Sequence, residues 1–118
     1  MPVGDYCRRN VGTIKGTATL AEAGTRMKDE STGCLVVLDL TDKPCGLVTD
    51  RDLALRTLCG RLDAKTATVD SIVVREDPIS VSEEAMVRLA VGMMRRLCVR
   101  RLLVRDAAKN LVGIALWV

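Results

Sequence analysis

The sequence predicts a mixed α/β (α+β) fold made of two pseudo-symmetric β-α-β-β-α repeats that pack against each other. The first observation is an internal period: Met27 falls on Met94, 67 positions later, and the flanking residues align without a gap. In that frame Leu35–Asp39 falls on Leu102–Asp106. The second observation is that strand-like and helix-like patterns follow each other in the same order in both halves. Because a fixed period sets the architecture, two copies indicate a pair rather than a solenoid.

The composition bounds the size and the nature of the core. The 118 residues are 48% hydrophobic but include no Phe, one Tyr and one Trp, so an aliphatic core is predicted. This length fits one compact domain, or two small halves that share a core. No apolar run approaches the roughly 18–20 residues of a membrane span, and the N-terminus lacks a signal-peptide pattern. We therefore expect a soluble, cytoplasmic protein without a membrane partner.

Residue types and spacing argue against several kinds of chemistry. The chain has no histidine, and its five cysteines are scattered without a C-x-x-C pair. Such spacing fits neither a metal site nor a disulfide framework, and Cys34, Cys45 and Cys98 are predicted to be small buried hydrophobes. Without histidine no Ser/His or Cys/His set can form, and no P-loop or paired-glycine fingerprint occurs. We expect no metal, no catalytic cofactor and no enzymatic activity.

The first copy reads strand, helix, strand, strand, helix. Thr19 and Glu22 have capping-box spacing, which predicts a helix that begins after Thr19. A second helix is predicted over Asp50–Cys59, where Gly60 suits its C-terminal cap. The three strands are predicted at Val11–Ile14, Cys34–Leu38 and Cys45–Val48, and the last two form a hairpin.

The second copy repeats this plan, with a short helical turn over Val69–Val73 before it. Its helix is predicted over Glu83–Arg96, with Ser82, Glu83 and Glu84 serving as its cap and first turn. Its final helix is expected to be missing, which should leave apolar surface uncovered. We place the first repeat at residues 6–60, a linker at 61–72 and the second repeat at 73–118. The strands are predicted at Ile79–Val81, Arg101–Val104 and Leu111–Leu116.

These two copies resemble a tandem pair of cystathionine-β-synthase (CBS) domains, often called a Bateman module. The resemblance is carried by Val11–Ile14, Leu20–Met27, Cys34–Asp39 and Gly46–Asp52, and in the second copy by Asp77–Val81 through Gly113-Ile114. It implies a regulatory module, without catalysis, that binds AMP, ADP, ATP, S-adenosylmethionine or a dinucleotide in the cleft between the copies. It also leads us to expect a homodimer.

In the family the Thr and Asp of this motif hold phosphate and ribose, and here they are Thr49 and Asp52. They stand where a strand passes into a helix, so we expect free backbone N–H groups and the positive end of the helix dipole there. The Asp52 carboxylate can accept from both ribose hydroxyls, Arg51 adds positive charge, and Leu47 belongs to the same predicted site. A purely structural reading exists, because Thr-x-x-Asp at a helix start also forms a cap that contributes about 1 kcal/mol.

The resemblance implies that the second copy completes the site. Asp77 and Ile79 would frame the base, while Val99, Arg100 and Arg101 would line the opposite wall. A mirror-related site would be framed by Thr13, Gly33, Cys34 and Leu35, but its anchor is missing. Leu116 replaces Thr49 and Trp117 replaces Asp50. We therefore predict one nucleotide site rather than two.

Two other functions compete with nucleotide sensing. The module can be a structural homodimerisation domain whose motif only caps a helix. It can also bind nucleic acid through a basic C-terminal patch, although the scarcity of aromatic residues argues against single strands. The net charge of +3 argues against strong duplex binding. The patch consists of Arg88, Arg95, Arg96, Arg100, Arg101 and Arg105.

Overall fold

The computed structural model describes residues 1–73 and 79–117. Among them it contains three α-helices and two three-stranded sheets, which confirms the predicted mixed α/β fold with one sheet per repeat. The chain divides into two compact units. The first unit is Gly12–Asp77, and the second unit combines Met1–Val11 with Pro78–Val118. No helix in the described part of the chain is long and apolar enough to cross a membrane.

The first unit is a three-stranded sheet covered by two helices. Strand β1 pairs in parallel with β2, which pairs in antiparallel fashion with β3, and helix α1 forms the crossover. Side chains of α1 and of the sheet form one aliphatic core in which Ala23, Leu35 and Val37 are fully buried. The elements are β1 (Thr13–Lys15), α1 (Leu20–Glu30), β2 (Cys34–Leu38), β3 (Pro44–Thr49) and α2 (Asp50–Leu58).

The second unit repeats this topology with β4 (Ser80–Ser82), α3 (Val87–Leu97), β5 (Arg101–Arg105) and β6 (Leu111–Leu116). Its sheet has the order β4-β5-β6, and its hairpin keeps the same register: Val37 pairs with Gly46 in the first unit, and Val104 with Gly113 in the second. The hairpin irregularity also recurs at the same position. Within the described residues no helix follows β6, in agreement with the predicted fold.

A short 3-10 turn that precedes each repeat in sequence packs with the other repeat. The turn at Val69–Ser71 belongs to the first unit, where the Val69 N–H donates to the Ala18 carbonyl at 2.8 Å. The turn at Val3–Asp5 belongs to the second unit, where the Val3 N–H donates to the Ala85 carbonyl at 2.7 Å. The repeat boundaries at 6–60 and 73–118 follow the sequence period and stay a prediction, whereas the contacts exchange these two turns.

The two crossover helices begin differently. The Thr19 hydroxyl accepts from the Glu22 N–H at 3.1 Å, as the sequence predicts for α1. The prediction for α3 is wrong, because this helix begins at Val87 rather than at Glu83. Its N-cap, Met86, makes no side-chain cap, and the Val87 N–H instead donates to the Met1 carbonyl at 2.9 Å. A backbone acceptor far away in sequence therefore does the work that we assigned to Ser82, Glu83 and Glu84.

The cysteines are free thiols, as the scattered spacing indicates. Cys34 and Cys45 are half-buried, so both are less enclosed than predicted. Cys98 is exposed, which contradicts its predicted burial. It caps the C-terminus of α3 in the left-handed region at φ 55°, and this position turns its side chain away from the core.

Candidate functional site

The Thr-x-x-Asp turn lies at the junction of β3 and α2, and it forms a complete capping box. The Thr49 Oγ1 accepts from the Asp52 N–H at 3.1 Å, and the Asp52 Oδ2 accepts from the Thr49 N–H at 3.0 Å. Thr49 is half-buried, while Asp52 is exposed. The structural role that competes with ligand binding is therefore present, and a cap of this kind contributes about 1 kcal/mol.

The neighbouring backbone donors of this turn are occupied as well. The Asp50 N–H donates to the Gly33 carbonyl at 2.9 Å, and the Arg51 N–H donates to the Asp50 Oδ1 at 2.8 Å. The expectation of free N–H groups at the start of α2 is therefore wrong, because two carboxylates and one carbonyl already accept from them. Two carboxylates in the first turn also make this point unfavourable for a phosphate.

Two polar groups of the turn keep hydrogen-bonding capacity. The Thr49 hydroxyl accepts one bond in the box and still has its own proton to donate. The box engages Oδ2 of Asp52, and the carboxylate has a second oxygen, Oδ1, on an exposed side chain. A donor and an acceptor side by side match a group that both accepts and donates, such as a sugar hydroxyl.

The start of β2 lies directly beside this turn. Cys34 pairs with Thr49 across the hairpin, and the carboxylate of Asp50 packs against the Cα of Gly33. A Cβ on Gly33 would stand 2.9 Å from the Asp50 Oδ2. Leu47 is half-buried on β3, two residues before Thr49. Of the residues predicted for the mirror-related site, Gly33 and Cys34 are thus neighbours of Thr49, whereas the side chain of Leu35 is fully buried.

The predicted site residues of the second repeat lie in the second unit. Arg100 is exposed, and its carbonyl accepts from the Trp117 N–H at 2.9 Å. Arg101 pairs with Leu116, and its Nε is buried without a hydrogen-bond partner among the described residues. Val99 packs at the edge of the core. Ile79 is 40% exposed, and the predicted Asp77 lies outside the described residues.

Arg100 and Arg101 occupy the positions that Gly33 and Cys34 occupy in the first unit. Their strand neighbours are Leu116 and Trp117 instead of Thr49 and Asp50. This edge of the second unit therefore has guanidinium groups where the first unit has a hydroxyl and carboxylates. The Arg95 guanidinium also lies 5.3 Å from the centroid of the Trp117 ring.

One cavity of the first unit has no counterpart in the sequence predictions. It measures about 440 Å³ and lies at the opposite end of the sheet, between the end of β1 and the β2–β3 turn. Asp39 lines it, and the Thr41 hydroxyl together with the N–H groups of Lys43 and Thr41 holds the pKa of that carboxyl below its usual value. The cavity exists because the Val69–Ser71 turn returns to Gly16, a contact that no local pattern indicates. No cluster of three potential metal ligands occurs in the described part of the chain.

Two repeats of a three-stranded sheet with a crossover helix, one ending in an exposed Thr-x-x-Asp turn, define a pseudo-symmetric tandem-repeat module. The chain belongs to the CBS domain family, since the family model matches residues 3–57 and 69–115.

Relatives of known sequence support this assignment. An uncharacterised protein of Methanopyrus kandleri is 30% identical over 116 residues, which are 95% of this chain and 57% of that protein. The CBS domain-containing protein YhcV of Bacillus subtilis is 32% identical over 112 residues, which are 95% of this chain and 77% of that protein. This chain spans only 16% of the CBS domain-containing protein CBSCBSPB1 of Arabidopsis thaliana, at 29% identity over 89 residues and 72% of this chain.

Two solved structures with bound AMP share the fold. A CBS domain protein from Pyrobaculum aerophilum complexed with AMP has a TM-score of 0.85 at 26% identity, over 98% of this chain and 87% of that chain. CBSX2 in complex with AMP has a TM-score of 0.75 at 25% identity, over 98% of this chain and 89% of that chain. The resemblance inferred from the sequence motifs is thereby confirmed.

Proposed function

We propose that this chain is a regulatory module that binds one adenosine nucleotide, rather than a catalyst. The ligand class is AMP, ADP, ATP or S-adenosylmethionine. The observation that carries the proposal is the exposed Thr49–Asp52 turn, which offers a donor and an acceptor side by side. The two AMP complexes among structures of the same fold add weight to the choice of ligand.

The turn is proposed to bind the ribose rather than the phosphate. One ribose hydroxyl would donate to Asp52 and accept from the Thr49 hydroxyl, and a charge-assisted bond to the carboxylate is the stronger of the two. The capping box helps, because it fixes the rotamers of both side chains before the ligand arrives. Phosphate is unfavourable here because Asp50 and Asp52 repel it.

Phosphate contact is proposed for the cations of the predicted site. Arg51 is exposed beside the turn, and Arg100 and Arg101 begin β5 in the second repeat. The buried Nε of Arg101 has no acceptor among the described residues, and an unsatisfied donor of this kind is uncommon in native structures. The base would contact the aliphatic side chains of Leu47, Ile79 and Val99, with Asp77 at its edge.

A single site per chain follows from the replacements in the second repeat. Leu116 and Trp117 provide neither the hydroxyl nor the carboxylate that Thr49 and the turn after it supply. Calorimetric titration with AMP, ATP and S-adenosylmethionine is therefore expected to give a stoichiometry of one. A ligand at 100 times its Kd should stabilise the folded state by about 2.7 kcal/mol. Absence of both heat and thermal shift with all three compounds would reject the proposal.

Homodimerisation is a second candidate function, favoured by the outer face of α3. Met86 and Leu89 are each 54% exposed there, and nothing lies within 4 Å of the position that a Cβ on Gly92 would take. Apolar side chains beside a glycine allow close helix-to-helix approach. Analytical ultracentrifugation should detect a dimer that Leu89→Lys converts to a monomer, and a wild-type monomer at all concentrations would exclude this function.

A further inference from the structure

We propose that an apolar groove on the second unit is a docking site for an amphipathic helix, with an acidic first turn, of another protein. The groove is a cavity of about 240 Å³ between α3, the end of β6 and the turn at Val3–Asp5. Its lining includes Val3, Val91, Met94, Ala115 and Trp117. The proposal is independent of nucleotide binding, because none of these five residues belongs to the proposed nucleotide site.

The first unit supplies the template for the occupant. The residues equivalent to Val91, Met94 and Ala115 are Gly24, Met27 and Val48, and helix α2 packs against α1 and β3 beside them. Leu53 of α2 joins that core, with its Cδ1 3.9 Å from the position of a Cβ on Gly24. Met27 and Val48 are 5% and 0% exposed as a result. In one unit, therefore, this groove already accommodates a helix.

The groove of the second unit is open over its aromatic end. Trp117 is 40% exposed and Tyr6 is 58% exposed, although both are large apolar side chains at the groove. Valine replaces Gly24 on the helix side, and alanine replaces Val48 on the sheet side. The groove is thus shallower along α3 and deeper along β6 than in the first unit, so a docked helix should lie closer to β6.

Charge selects the kind of helix. The groove continues past Met94 and Trp117 into a second cavity of about 490 Å³ that Arg95 and Arg100 line. At the corresponding end of the first unit, α2 begins with Asp50 and Asp52 in its first turn. Acidic residues there offset the positive end of the helix dipole, and in the second unit they would also face these arginines. The structure thus favours a helix with apolar residues four apart, like Leu53 and Thr57, after an acidic first turn.

The natural probe is a peptide of residues 48–60 of this chain, with Cys59→Ser. Trp117 is the only tryptophan, so its emission reports occupancy of the groove. We expect a saturable blue shift at high micromolar to millimolar peptide, because an isolated helix of this length is marginal in water. The same peptide with Leu53→Asp should bind at least about tenfold more weakly, since its apolar anchor is lost. A peptide with Asp50→Asn and Asp52→Asn should bind a few-fold more weakly and lose its salt dependence.

A variant of the groove provides the matched test on the protein. Val91→Arg should abolish the shift, while Leu97→Arg, on the same helix but outside the groove, should leave it unchanged; circular dichroism verifies that both fold. If Val91→Arg does not fold, the Leu53→Asp peptide alone decides. No shift with the parent peptide, or equal binding of the Leu53→Asp peptide, overturns the proposal. So does a groove filled by a second copy, which would appear as Trp117 emission that depends on protein concentration without any peptide.

Discussion

Thr49 and Asp52 cap each other's backbone, with Oγ1 of Thr49 3.1 Å from the Asp52 nitrogen and Oδ2 of Asp52 3.0 Å from the Thr49 nitrogen. The same two side chains are the proposed ribose contacts. Stability and binding therefore share one turn, and a simple truncation of Asp52 confounds them. A conservative replacement separates the two roles.

Asp52→Asn should keep the cap and lose the ligand. The amide oxygen still accepts from the Thr49 N–H, whereas the negative charge that strengthens a bond to ribose is gone. Asp52→Ala should lose both, with a loss of about 1 kcal/mol in the free energy of unfolding. Urea unfolding and calorimetric titration with AMP measure the two effects. Wild-type affinity in both variants would mean that the turn is only a cap.

The glycines of the second unit are expected to respond in opposite directions to alanine. A Cβ on Gly113 would lie 2.4 Å from the Arg8 carbonyl oxygen, where Arg8 pairs with Ile114. Gly113→Ala should therefore destabilise the protein by about 1–3 kcal/mol, as overpacking does. Gly92→Ala is the control, because it meets nothing within 4 Å in the middle of α3. It should stabilise the helix by about 0.5–1 kcal/mol, and an equal loss in both variants in urea unfolding would contradict this account.

The sequence allowed most of the fold to be predicted, because the repeat and the strand patterns are local. The hairpin strand Cys34–Leu38 and the α1 cap at Thr19 were predicted as they occur. The start of α3 was not, since its first N–H is satisfied by Met1, a residue at the other end of the chain. Contacts between segments so distant leave no periodic trace in either one.

The candidate site was predictable only as a set of residue types. Thr49 and Asp52 were found from their spacing, but spacing alone does not reveal whether their donors are free. The structure answers this point through the Asp50 carboxylate and the Gly33 carbonyl, which complete the first turn of α2. That finding moves the expected ligand contact from phosphate to ribose.

The exchanged turns are expected to stabilise the units in which they pack. Val3 is 3% exposed in the core of the second unit, and Val69 is fully buried in that of the first. Val3→Ala and Val69→Ala should each lower the free energy of unfolding by about 2 kcal/mol. Hydrogen exchange should then distinguish them, with faster exchange of the Val87 amide in one variant and of the Leu20 amide in the other. Identical exchange patterns would contradict the exchanged packing.

The Asp39 turn predicts a specific pH dependence. The Thr41 hydroxyl and two backbone N–H groups hold the pKa of Asp39 below 3.8, its ordinary value. A carboxyl whose pKa is lower in the folded state contributes stability above that ordinary value and loses it as pH falls through the folded pKa. Asp39→Asn should therefore be less stable than the wild type at neutral pH, and the difference should shrink below about pH 4. Urea unfolding at both pH values tests this, and a constant difference would contradict it.

Arg101 is expected to distinguish a phosphate from the nucleoside that carries it. Its buried Nε has no acceptor among the described residues, and the Nε of Arg105, at the other end of β5, is in the same state. Replacing either guanidinium by the apolar side chain of methionine leaves no unsatisfied donor, so stability should change little. Arg101→Met should weaken AMP binding about tenfold, because a hydrogen bond to a charged group is lost, and should leave adenosine binding unchanged. Arg105→Met should alter neither, and a matching loss of AMP affinity in both variants would show that β5 contributes only general positive charge.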